Sequence, residues 1–240
     1  MIHRAVEISP QVYARVGGWL YLVVFVAGIF ADGFVGGRLV VPGDAAATAH
    51  NIMASVLLWR LGFTADVLMV VCYVAVTLIL YVLLRPVNRD LALLAAFFSL
   101  TGCAILGIDV LAYFAPSILL GGADFLNGLD AHQLQALAML ALKLYGYGYD
   151  ISIVFFACYC LSIGFLVFRS GYLPKTLGVL LAIGALGYLI KTSTHFLAPS
   201  FAGTLFMAPG GVAELSLTLW LIIKGVNVPK WEERANRLVS

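Results

Sequence analysis

Charged side chains are scarce. The 240 residues include 14 lysines and arginines and 12 aspartates and glutamates, 11% of the chain, where a soluble domain carries about 25%. Such a chain cannot cover a water-facing surface with polar groups. With 62% hydrophobic residues and a mean hydropathy of +1.02, its solvent must be lipid. Cysteine and histidine are also few, at four each. Cys72, Cys103, Cys158 and Cys160 fall inside apolar runs and form no CxxC pair. That excludes a disulfide framework and reads as small buried hydrophobes. The histidines form no HExxH motif and no close pair, so no zinc or haem ligand set is available, and neither a metal nor a cofactor is expected. GxSxG, P-loop and GxGxxG motifs are missing. So is any basic patch interleaved with aromatics, which argues against nucleic acid as a partner. Tyr145-Gly-Tyr-Gly148 has the letters of a potassium filter but no preceding Thr-Val and no pore loop. No internal repeat is evident, so an inverted-repeat transporter is not supported.

What the chain does have is long apolar runs. Six approach the roughly 20 residues needed to cross a hydrocarbon core: about 16–35, 61–84, 91–111, 134–168, 176–196 and 209–224. The first is too long for a signal h-region and no small-x-small site follows it, so it is expected to stay as an anchor. The fourth exceeds the core thickness at 1.5 Å per residue and must tilt or protrude. The sixth is short, so part of the loop before it is expected to dip into the membrane. Pro42-Gly43 breaks the chain after the first run, and Asp44 is a good N-cap for the alanine-rich turn behind it. The segment 42–56 is thus expected to be a short interfacial helix that does not cross. The tail, 225–240, is charged and amphipathic. The expected fold is an all-α integral membrane protein, a six-transmembrane-helix bundle with a short interfacial helix after the first span, in one polytopic domain over 1–240.

Orientation follows from basic residues. With six spans, Arg4, Arg15, Arg85, Arg89, Arg169, Lys175, Lys224, Lys230, Arg234 and Arg237 share one side, ten of the fourteen. Both termini are then cytoplasmic. A seventh span over 39–58 would split these groups between the two sides and bury Pro42-Gly-Asp44.

Ionisable residues inside the runs are costly, and such groups face a bundle interior or a wet cavity. The densest stretch is Lys143-Leu-Tyr-Gly-Tyr-Gly-Tyr-Asp150, where Lys143, Tyr147 and Asp150 stand at i, i+4 and i+7 on one helical face. Asp66, Asp109, Lys191, His195 and Glu214 punctuate other runs at similar depth. Together these eight residues are the candidate lining of one polar pocket centred on Asp150 and Lys191, with Asp150 or Glu214 as the partner of Lys191. Gly184, Gly187, Lys191 and His195 form one stripe, and Gly102, Asp109 and Tyr113 another. Small residues allow close helix approach, so both stripes should point inward. Plainer readings stand beside these. Lys143 can snorkel to the interface, Asp66 and Asp109 can brace neighbouring helices, and tyrosines suit an aromatic belt. His50 and His132 read as inert interfacial residues.

Several strings carry a family resemblance. They are Arg38-Leu-Val-Val-Pro-Gly-Asp-Ala-Ala-Ala-Thr-Ala-His-Asn-Ile-Met-Ala-Ser55, Leu84-Arg-Pro-Val-Asn-Arg-Asp90, Arg169-Ser-Gly-Tyr-Leu-Pro-Lys175 with Leu177-Gly-Val-Leu-Leu-Ala182, and Glu214-Leu-Ser-Leu-Thr-Leu-Trp220. The chain resembles, over nearly its whole length, an uncharacterised bacterial family of multi-span membrane proteins, the domain of unknown function numbered 4386. The resemblance implies a bacterial inner-membrane protein and supplies no reaction. It also implies charged or amide groups near positions 56, 99 and 102, where this chain has Val56, Ser99 and Gly102.

Three functions stay open. The leading one is binding or transport of a small cationic, zwitterionic or amphipathic ligand in an acid-rich pocket. An intramembrane enzyme acting on a lipid or isoprenoid substrate would use a buried carboxyl as acid and aromatic faces for a developing cation, with His195 beside Lys191 as base. A sensor or assembly factor would use the charges only to lock the bundle. Beyond the lipid bilayer, a small-molecule or lipid ligand is the expected partner, and the sequence leaves the oligomeric state open.

Overall fold

The computed structural model describes residues 9–198 and 203–237. The expectations placed on Arg4, on Pro199 and on the last three residues of the tail lie outside the described residues. Every element within them is helical. Six helices are long and apolar enough to cross a membrane: Pro10–Leu39, Val56–Leu84, Arg89–Leu119, Ala131–Ser170, Lys175–Leu197 and Leu205–Ile223.

The first of these is composite. An α-helix, α1 (Pro10–Gly28), runs into a π-helix over Ile29–Gly36 and closes with α2 (Gly37–Leu39). The expected exit near residue 35 is therefore moved back to Leu39, and Asp32-Gly33 stays helical. Val40 is extended and Pro42-Gly43 makes the break, with Gly43 at φ 82°. Asp44 then caps α3 (Ala45–Ala54), accepting from the Ala47 amide at 2.8 Å. Ten residues at about 1.5 Å each reach only about 15 Å, too short to cross.

The long helices are α4 (Val56–Leu84), α5 (Arg89–Leu119), α6 (Ala131–Ser170), α7 (Lys175–Leu197) and α8 (Ala208–Ile223). Asn88 caps α5 through the Leu91 amide. Asp130 and Gln133 open α6 with reciprocal bonds, each side chain accepting from the other's amide at 2.9 Å. This capping box satisfies two orphan donors of the first turn. The loop before α8 enters as a 3-10 turn, Thr204–Met207, with Pro209 in the first turn of the helix. The short α9 (Val228–Asn236) is capped by Asn227.

The chain divides into two compact units. Unit one comprises the described residues of Met1–Leu22, Tyr73–Gly102 and Ile153–Ser240. Its helices approach closely through glycines, as small residues permit in lipid. A Cβ on Gly178 would meet the Gly164 carbonyl of α6, and one on Gly184 would meet Gly210 of α8. Gln11 joins α1 to the end of α8: its amide donates to the Lys224 carbonyl and its carbonyl accepts from Val226, both at 3.0 Å. Gly225, at φ 69°, leaves the space that the Gln11 side chain fills. At the end of α4 the Leu83 carbonyl accepts from Tyr172 at 2.7 Å and from the Trp231 indole at 2.8 Å.

Unit two comprises Val23–Cys72 and Cys103–Ser152. Its core is Val35, Leu39, Ile52, Trp59 and Tyr113, flanked by Phe30, Leu58, Phe63, Leu142 and Tyr145. The Trp59 and Tyr113 rings stack at 4.1 Å and 4°, and Tyr145 meets Tyr113 edge-on at 5.3 Å.

Candidate functional site

Each unit buries acids. In unit one the acid is Glu214 of α8. Tyr188 of α7 donates to its Oε1 at 2.5 Å. Tyr21 of α1 donates to Oε2, and Tyr73 of α4 adds a longer contact at 3.3 Å. The Cys160 thiol of α6 also bonds to the carboxylate. Glu214 thus collects donors from four helices, with its own side chain and all three tyrosines buried. Hydrogen bonds to a carboxylate can stabilise it without a cation. The expected pairing of Lys191 with Glu214 is not present among the described residues: hydroxyl and thiol groups take that place. A buried carboxylate holding donors from several helices reads as a helix-joining node.

Unit two brings two buried acids, Asp66 and Asp109, together with an exposed one, Asp32. Asp32 comes from the π-helix, Asp66 from α4 and Asp109 from α5. The Tyr145 hydroxyl of α6 lies 2.8 Å from Asp32 Oδ1 and 3.0 Å from Asp66 Oδ2. The two carboxylates are therefore within the roughly 6 Å at which like charges disfavour each other. Asp66 lies in the electrostatic reach of Asp109, and Asp109 in that of Asp32. Its carboxylate rests against Gly148, where a Cβ would collide with it. Gly62 does the same for the Tyr113 hydroxyl. The π-helix matters because its wider turn shifts the register of the side chains it carries. Such segments recur at functional sites.

None of the three acids has a cationic partner among the described residues. Several polar atoms of this unit are buried and unbonded among the described residues: Asp66 Oδ1, Asp109 Oδ2, Tyr113 Oη, the Trp59 indole nitrogen and Ser117 Oγ. Asp109, Tyr113 and Ser117 stand at i, i+4 and i+8, on one face of α5. Native proteins leave few such atoms, and each calls for an explanation.

Of the eight candidates read from the sequence, Asp66 and Asp109 come together here. Asp150 is fully buried in the same unit. Lys143 and Tyr147 are exposed, which matches a snorkelling lysine. Lys191 and His195 are half-buried near the end of α7 in unit one. Gly184 and Gly187, lower on their stripe, are buried against α8 and the turn before it. Asp32 was missed because, at the end of an apolar run and followed by glycine, it looked like an exit. Trp59 and the tyrosines around Glu214 were missed because aromatic residues in spans are ordinary. His50 and His132 are exposed.

The family described as "Domain of unknown function (DUF4386)" matches residues 16–225. The chain belongs to this family. The residues of both acid sites lie inside the matched region. The DUF4386 chain is also 28% identical over 158 residues to an "Uncharacterized protein" of Archaeoglobus fulgidus, covering 66% of this chain and 80% of that one. No solved structure matches it. Three of the strings that suggested the family, 38–55, 84–90 and 169–182, form the break and cap at α3, the α4–α5 turn and the α6–α7 turn.

Proposed function

We propose that this DUF4386 protein binds a small cationic ligand at the acid site of unit two and passes it across, or senses it within, the membrane. One observation carries the reading: Asp32 and Asp66 share the Tyr145 hydroxyl and Asp109 lies within electrostatic reach of them, with no cation among the described residues to balance the three. An uncompensated charge in a span costs about 2.5–3.5 kcal/mol on the lenient insertion scale. Tyr145 has one hydrogen and two carboxylates to serve, so it cannot satisfy both at once. A cation placed between the acids answers the repulsion and the unmet acceptors together.

The membrane and its sidedness belong to the same proposal. The ten-to-four distribution of basic residues supports cytoplasmic termini in a prokaryotic cytoplasmic membrane. The acid site, on the sparsely basic side, then opens outward. A cysteine added at the C-terminus should resist an impermeant thiol reagent applied to intact cells, and efficient labelling would overturn this orientation.

The binding reading is tested by thermal unfolding of the purified full chain with methylammonium, guanidinium or acetate. The cations should raise the Tm in a saturable way and acetate should not. The shift should vanish in a variant combining Asp32→Asn, Asp66→Asn and Asp109→Asn. A wild-type chain indifferent to every cation tested would sink the reading.

A further inference from the structure

The acid site specifies more about its ligand than positive charge. We propose that it takes a small primary amine that also carries a hydroxyl or carbonyl oxygen. This rests on the cation-binding reading above and narrows it to one class.

The acceptors come first. Asp66 Oδ1 and Asp109 Oδ2 are buried without a donor among the described residues. Satisfying them takes hydrogen-bond donors as well as charge. A quaternary ammonium has no N–H and would leave both oxygens unmet. A metal ion would need several ligands converging on one point, and no group of three His, Cys, Asp or Glu among the described residues could hold one. An ammonium needs only two of these acceptors and can offer one N–H each to Asp66 Oδ1 and Asp109 Oδ2, with a third to spare.

The donor comes second. The Tyr113 hydroxyl is buried and unbonded, and it lies in the electrostatic reach of Asp32 and Asp66. It is a neutral group and can donate to an oxygen on the ligand. Ser117 Oγ, one turn further along the same face of α5, is unbonded as well. Three carboxylates would repel a phosphodiester, so the free amine, rather than an aminophospholipid headgroup, is the ligand the site favours.

Ethanolamine, propylamine and choline separate these claims. Propylamine replaces the hydroxyl by a methyl group, and choline replaces the N–H donors by methyls. Binding to the full chain in amine-free detergent is read by calorimetry or by the ligand-dependent Tm. Ethanolamine should bind, with propylamine and choline each at least about tenfold weaker, the scale of one lost hydrogen bond in a buried site. Tyr113→Phe should bring ethanolamine to the affinity of propylamine and leave propylamine unchanged. Ser117→Ala and the wild-type affinity ratios carry the test should the tyrosine variant fail to fold. Choline binding as well as ethanolamine would overturn the N–H requirement, and propylamine binding as well would overturn the oxygen, both leaving the cation reading intact. Loss of binding by all three would take that reading down as well. Repeating the titration in phosphatidylethanolamine and phosphatidylcholine nanodiscs identifies the source. Equal affinities support the free amine, and ethanolamine binding suppressed only by phosphatidylethanolamine would overturn it in favour of the lipid headgroup.

Discussion

Tyr145 and Glu214 pose opposite problems at the level of single residues. Tyr145 supplies one hydrogen to two carboxylates, whereas one Glu214 carboxylate receives four donors. Tyr145→Phe removes the group that separates Asp32 from Asp66. Hydrogen bonds to charged groups contribute about 1.5–3 kcal/mol, so the variant should unfold at lower temperature by that equivalent. Adding Asp32→Asn should recover part of the loss, because one of the two facing charges is gone. A double variant whose Tm shift is the sum of the single shifts would show that the carboxylates do not interact. Glu214→Gln puts an amide NH2 among donors, leaving at least one hydroxyl or thiol without an acceptor. It should cost about 1–3 kcal/mol while the cation-induced Tm shift in unit two persists. Loss of the cation response with the fold intact would instead make Glu214 part of the ligand site.

At the scale of the helix, the pattern Tyr145-Gly-Tyr-Gly-Tyr149 distinguishes two glycines that look alike in sequence. A Cβ on Gly146 would meet nothing, whereas one on Gly148 would strike the Asp109 carboxylate. Alanine gains up to about 1 kcal/mol over glycine inside a helix. Gly146→Ala should therefore be neutral or stabilising, and Gly148→Ala destabilising, with Asp109 displaced and cation affinity reduced. Equal Tm values for the two variants would remove Gly148 as the seat of Asp109. Much at this scale was legible beforehand. Apolar run length points to six long helices, although the third run stops at 111 where α5 continues to Leu119, and Asp44 behind Pro42-Gly43 marks the cap of α3. The π-helix was not legible, because Ile29–Gly36 has the composition of an ordinary span end. Its register depends on packing rather than on propensity. That is why Asp32 was read as an exit, although Asp66 and Asp109 were recognised. The tyrosine ring of Glu214 was hidden for a related reason. Its members lie 193, 141 and 26 residues from Glu214, and helical periodicity relates only residues on one helix.

Taken over the whole chain, twelve acids are few enough that placing Asp32 and Asp66 on one hydroxyl, with Asp109 in their electrostatic reach, has a thermodynamic consequence. Asp66 and Asp109 are buried, and Asp32, although exposed, shares the Tyr145 hydroxyl with Asp66. Like charges held this close lower stability unless something offsets them, and proteins tolerate such sites where function requires them. If the acids serve the fold, neutralising them removes useful interactions and the protein weakens. If they serve a ligand, neutralising them relieves repulsion in the ligand-free chain. The variant Asp32→Asn/Asp66→Asn/Asp109→Asn keeps the side-chain shapes and an acceptor oxygen for Tyr145 at each position. We expect it to be more stable than the wild type without ligand, by about 1–3 kcal/mol, or a few degrees in Tm for a chain of this size. With a saturating amine the order should reverse, since only the wild type gains RT ln(1 + [L]/Kd) from binding. The crossing of the two stability curves as amine is added is the signature to measure. A triple variant less stable than the wild type at every ligand concentration, with no crossing, would assign the three carboxylates to the architecture of unit two.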